Sequence, residues 1–175
     1  IGGYSHDDTF EVLFNPDGSL YQDREQNFLN SAAQILEENH LAGIDLDYES
    51  TSMTHQQSEQ YLQLIKDLRA KLGTKYNIIM TVLSDPAYLE GTRAGPNGTQ
   101  VGFDNLKEFN GYIDNLQLMT YDFHGAFDFT SGGTNKTGFL ANVRPYENDK
   151  FSVYQSVMAA TNYIDSDKII IGVPA

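Results

Sequence analysis

Gly43-Ile44-Asp45-Leu46-Asp47-Tyr48-Glu49 places three carboxylates at alternate positions, with large apolar residues between them. Successive side chains of a strand point to opposite faces, so a strand over residues 43–49 aims Asp45, Asp47 and Glu49 one way and Ile44, Leu46 and Tyr48 the other. Three acids on one desolvated face cannot all stay ionised, and at least one is expected to hold a proton near neutral pH. A carboxyl group in that state is a general acid. Acidic triplets are more often solvated surface, but Leu and Tyr as spacers favour a strand buried on its back face. A calcium loop needs Gly at its sixth position, where this segment has Ser50. The triplet alone leaves a divalent-metal nuclease or transferase site open.

The rest of the chain alternates helix and strand signals, as a parallel sheet with crossover helices requires. Ile1-Gly2-Gly3-Tyr4 reads as the end of a strand. Asp23 with Gln26 has the spacing of a capping box for a helix carrying Phe28, Ala32, Ile35 and Leu36. Thr54 with Gln57 repeats that spacing before Tyr61, Leu64, Ile65, Leu68 and Leu72, and Gly73 follows as a stop. Further strands are expected over 76–83, 116–121 and 168–173, with helices near 104–110 and 152–164. This gives five strands and four helical connections. Residues 84–102 read as loop, and 123–150 form a connection too long to be a simple turn.

The 175 residues are 40 % hydrophobic, enough for a full core, and contain nothing resembling an interdomain linker. We read residues 1–175 as one domain, or part of one. With 24 Asp and Glu against 11 Lys and Arg, the net charge of −13 opposes phosphate backbones and anionic lipid, so neither nucleic acid nor a membrane is an expected partner. Cysteine is absent, which removes disulfides, thiol nucleophiles and thiolate-bound metals. His6, His40, His55 and His124 show no ligand spacing, no apolar run approaches a membrane span, and no cofactor is called for. The chain opens on Ile1, which reads as a processed or excised piece.

In βα architectures the reacting groups gather at the carboxyl ends of the strands. Glu49 ends one expected strand and Tyr121-Asp122 end another. Period 2 puts Gln117, Met119 and Tyr121 on one face, where Tyr121 can reach toward the acids. Ordinary core packing is the competing reading for Met119 and Tyr121.

Together these residues resemble the family 18 glycoside hydrolases, the chitinases and endo-β-N-acetylglucosaminidases. The segment 43–49 is similar to that family's Asp-Gly-x-Asp-x-Asp-x-Glu signature, and Met119-Thr120-Tyr121-Asp122 to its Met-x-Tyr-Asp motif. Gly2-Gly3-Tyr4 with Phe10 resembles the end of its Ser-x-Gly-Gly segment, and Gly172-Val173-Pro174-Ala175 the start of its next-to-last strand. Departures accompany the match: Ala42 replaces the signature's first Asp, Tyr48 replaces its usual Trp, and the chain has no Trp at all. The resemblance implies a (β/α)8 barrel of the TIM type, present here from the third to the seventh strand and incomplete at both ends.

Three acids sharing one strand face leave no opposed carboxylate to act as nucleophile, which fits substrate-assisted hydrolysis, where the substrate's 2-acetamido oxygen attacks. The resemblance implies Glu49 as acid and then base, Asp47 as partner of the acetamido N–H, and Asp45 as the group that sets the charge on Asp47. It likewise gives Tyr121 to the acetamido oxygen, Asp122 to the sugar and its charge, and Met119, Gln117 and Tyr4 to substrate binding, with no metal. Chitin or an N-acetylglucosamine oligosaccharide is the expected partner. An enzyme acting on N-glycan cores and a non-catalytic sugar-binding relative are the alternatives, and retention of Glu49 favours an enzyme. Sequons at Asn97-Gly98-Thr99 and Asn135-Lys136-Thr137 would suit a secreted protein, although such triplets also arise by chance. Unprotected strands at either side of an open sheet would favour self-association or membership of a longer barrel.

Overall fold

The computed structural model describes residues 1–4, 6, 8–129, 136–147 and 149–174; Asn135 of the second sequon and Ala175 lie outside these residues. The acidic segment forms strand β1 (Gly43–Asp47), followed by β2 (Asn77–Leu83), β3 (Asn115–Met119) and β4 (Ile169–Ile171). All four pair in parallel, in the spatial order β1-β2-β3-β4. Helices α1 (Gln22–Glu38), α2 (His55–Leu72), α3 (Leu106–Phe109) and α4 (Val153–Ala160) precede β1, β2, β3 and β4 in turn. A parallel sheet that advances one strand per helical crossover is the repeat of the (β/α)8 barrel, and this chain builds part of one.

Local chemistry sets most of these elements. At the start of α2, the Thr54 hydroxyl accepts from the Gln57 backbone N–H while the Gln57 side chain accepts from the Thr54 N–H at 2.9 Å. This reciprocal cap contributes about 1 kcal/mol. Gly73, at φ 61°, ends the helix. One face of α2 buries Tyr61, Leu64, Ile65, Leu68 and Leu72, and α1 buries Leu29, Ala32 and Leu36. Both faces pack into the same core as Ile44, Leu46 and Tyr48 of the acidic segment, where each large side chain contributes roughly 1.5–3 kcal/mol.

Several expectations are corrected. The fifth strand, at Ile1, is reduced to one parallel bridge between Gly2 and Asp47, because Gly2 and Gly3 take φ of 96° and 99°, outside extended geometry. The capping box at Asp23 does not form. Leu20 bridges to Phe14, and the Tyr21 N–H donates to the Leu13 carbonyl, so the helix begins at once after Tyr21 and Asp23 falls in its first turn. Strand β3 stops at Met119 because the Thr120 N–H turns back to the Leu118 carbonyl at 2.9 Å, leaving Tyr121 beyond the ladder. The last helix ends at Ala160 rather than 164, and the last strand covers Ile169–Ile171 rather than 168–173. Within 84–102 the chain makes a helical turn at Pro86–Leu89 and a two-stranded antiparallel ribbon, Arg93–Ala94 with Gln100–Val101. The Asn97 sequon sits exposed at that ribbon's tip. Beyond β4 the sheet has no further strand among the described residues, and Ile170, Ile171 and Val173 stay 39, 46 and 76 % exposed.

Candidate active site

The alternation in β1 carries through to the residues beyond it. Leu46 and Tyr48 are buried to 0 and 1 % exposure, whereas Asp45, Asp47 and Glu49 remain half-buried on the opposite face. Asp45 Oδ1 accepts a 2.8 Å hydrogen bond from the Thr81 hydroxyl on β2. Asp47 is anchored through its backbone: its N–H donates to the Ile1 carbonyl and its carbonyl accepts from the Gly3 N–H, both at 2.8 Å. Gly3 also leaves open the space beside the acids, since a Cβ there would lie 3.4 Å from Asp47 Oδ2 and 3.9 Å from Glu49 Oε1. The carboxylates of Asp47 and Glu49 therefore flank one point above the end of β1.

Tyr121 completes the group from the end of β3. Burial is the main cause that pushes its phenol above the ordinary value, and the negative charges of Asp47, Glu49, Asp122 and Asp45 add to it in that order. The phenol thus lies within the field of all four acids, which favours its neutral, hydrogen-bonding form. Its ring rests on Gly172, whose carbonyl accepts from the Thr120 hydroxyl at 2.7 Å and whose N–H donates to the Leu118 carbonyl at 2.9 Å.

The remaining expected residues are spread more widely. Asp122 is exposed and holds a left-handed backbone at φ 53°. Gln117 and Met119 are half-buried on the acids' side of the sheet, opposite Thr81 and Leu83 of β2. Tyr4 follows Gly3 but is 85 % exposed. Sequence reasoning missed Thr81, whose only signal was a hydroxyl inside the apolar run Asn77–Leu83. It also missed Ser84, whose hydroxyl donates to the Met119 carbonyl at 2.6 Å and fastens the end of β3 beside Tyr121. Among the described residues, no three histidine or acidic side chains are grouped so as to hold a metal ion, and no helix is long and apolar enough to cross a membrane.

The chitinase domain of the Clostridium difficile spore coat protein CotE superposes with a TM-score of 0.74 at 22 % identity, covering 99 % of this chain and 47 % of that one. A Cycas revoluta family 18 chitinase, solved in complex with (GlcNAc)3, gives a TM-score of 0.71 at 18 % identity, again over 99 % of this chain and 47 % of the other. At these identities the likeness establishes the fold, a (β/α)8 barrel in part. Among curated proteins, the sporulation-specific chitinase 2 of Saccharomyces cerevisiae is 27 % identical over 132 residues, 75 % of this chain and 25 % of that protein. The chain thus spans about half of the solved domains and a quarter of the yeast protein. The model of the glycosyl hydrolases family 18 matches residues 1–175 from end to end, and with the acidic strand and the Tyr121 segment in place the chain belongs to that family.

Proposed function

We propose that this protein supplies the acid-bearing half of a chitinase-like site that cleaves β-1,4-linked N-acetylglucosamine polymers with retention. The observation that carries this reading is the convergence of the Asp47 and Glu49 carboxylates on the space beside Gly3, with the Tyr121 phenol in the field of both. In the first step the acetamido oxygen of the substrate attacks C1 as the glycosidic C–O bond breaks, and the Glu49 proton passes to the leaving oxygen. Asp47 accepts the acetamido N–H and balances the oxazolinium charge, while the Tyr121 O–H donates to the acetamido oxygen and shapes it for attack. In the second step Glu49, now a carboxylate, takes a proton from water, which adds to C1 and reopens the ring with the original configuration. Asp45, fixed by Thr81, holds charge behind Asp47, and Asp122, Met119, Gln117 and Tyr4 extend the sugar contacts. The same reading takes residues 1–175 as one part-barrel unit acting outside the cell on a polymer.

The test is turnover of a fluorogenic chitobioside by the full natural chain. Glu49→Gln should lower kcat by at least ~10²-fold while oligosaccharide binding survives, and β-glucosides lacking the 2-acetamido group should not be cleaved. Oligosaccharide binding without any turnover by the natural protein would assign it a sugar-binding role instead.

A further inference from the structure

Glu49 lies beyond the last paired residue of β1, Asp47, so the sheet ladder does not hold its backbone. Its two neighbours are held instead. Tyr48 and Ser50, on the opposite side of the chain from Glu49, are 1 and 4 % exposed. Both meet one carboxylate: Glu11 Oε1 accepts from the Tyr48 phenol at 3.1 Å and stands 3.4 Å from the Ser50 hydroxyl. Glu11 closes the one-turn helix Asp8–Glu11, which follows the Ile1–Gly3 segment bonded to Asp47. From the other direction the buried Tyr88 phenol donates to the Ser50 carbonyl at 2.7 Å. The Tyr48 ring is wedged by Phe10 and Tyr61, at centroid distances of 5.2 and 5.3 Å, which holds its phenol beside both Glu11 and the Ser50 hydroxyl.

From this arrangement we infer that Glu11 is a positioning residue for Glu49, clamping the residues on either side of it so that the acid projects at a fixed angle from the end of β1. The Tyr48 phenol reaches the Glu11 carboxylate with its terminal O–H. Glu11 and Tyr48 are therefore one device. Burial, and after it the charge of Glu11, push the Tyr48 ionisation upward, which keeps the phenol a donor throughout the working pH range.

The inference rests on the catalytic reading of Glu49, and its test separates the two. In the full chain, amide hydrogen exchange reports the clamp without any turnover: Glu11→Ala should raise exchange at residues 48–50 and leave β2 protected, while Glu11→Gln, which keeps an acceptor oxygen, should resemble the natural protein. Turnover of chitooligosaccharide then reports the consequence. Glu11→Ala should lower kcat roughly 10- to 100-fold with KM little changed, the scale set by slight misplacement of a reacting group, and Glu11→Gln should restore most of it. Tyr48→Phe should mimic Glu11→Ala, and the double variant should be no worse than either single one. Unchanged exchange at residues 48–50, or equal loss of kcat in the Ala and Gln variants, overturns the positioning role. A natural protein that shows the exchange pattern but hydrolyses nothing leaves the clamp standing and removes the catalytic reading.

Discussion

The Tyr121 ring lies directly against Gly172: a Cβ on that glycine would stand 2.5 Å from the ring's Cε1 and 3.0 Å from the Leu118 carbonyl oxygen. The glycine is required by this close approach of β4's end to the ring that faces the acids. Gly172→Ala must displace either the ring or the backbone, at about 1–3 kcal/mol for overpacking. We expect a lower melting temperature and at least ~10-fold lower kcat, since the phenol would leave its place beside Asp47 and Glu49. Normal kinetics in that variant would show that the position of Tyr121 is immaterial to turnover.

Thr81 is 3 % exposed and its hydroxyl is committed to Asp45. Thr81→Val preserves shape and removes the donor, so unfolding in urea should show a loss of about 1.5–3 kcal/mol, the range for a hydrogen bond to a charged group. Because Asp47 is the acid assigned to the substrate and Asp45 stands behind it, Asp47→Asn should reduce kcat further than Asp45→Asn. The reverse order would exchange their roles.

His124 bridges the ends of the long 123–150 connection, with Nε2 2.8 Å from Asp149 Oδ2 and Nδ1 3.2 Å from Asp128 Oδ2. Burial disfavours its charge, but the bonds and charges of Asp149 and then Asp128 outweigh burial, and its pKa rises above 6.5. A raised folded value means the contribution is complete below about pH 6.5 and is lost as pH climbs through the folded pKa. The imidazole carbon shifts should titrate above 6.5 in the folded protein, and proteolysis within this connection should quicken over the same interval. Titration at or below 6.5 would contradict the ion-pair geometry.

Glu25 on α1 shares a hydrogen bond with Asp67 on α2; burial first, and then that neighbour, push its pKa up to about 7. The folded form keeps this proton between about 4.5 and 7 while the unfolded chain releases it, so α1–α2 docking weakens as pH rises through that window. Glu25→Gln should raise the melting temperature at pH 8 and leave it unchanged at pH 4. An equal effect at both pH values would point to packing instead of charge.

Helix α2 was legible because its cap, apolar stripe and stop follow one another along a single continuous segment, Thr54 to Gly73, and β1 because period 2 announces which side each acid takes. What the sequence concealed depends on distant partners. The start of α1 follows from a bond between Tyr21 and Leu13, and the first strand fails through two glycine dihedrals. Glu11 and Ser50 are 39 positions apart, Thr81 and Asp45 36, and His124 and Asp149 25. Histidines that looked scattered along the chain include one held between two carboxylates, Asp128 four residues away and Asp149, which only the fold brings to it.

The spatial order β1-β2-β3-β4 is also the order of synthesis. Each strand adds to an edge laid down by the strand just before it, so the chain can fold as it leaves the ribosome. The registers of β1 on β2 and β2 on β3 can be complete before Ile169 has been translated. Asp45 and Thr81, like Ser50 and Tyr88 beside Glu49, are all synthesised well before Gly172, against which the Tyr121 ring lies. The partners of the acidic strand thus precede, along the chain, the glycine on which the Tyr121 ring rests.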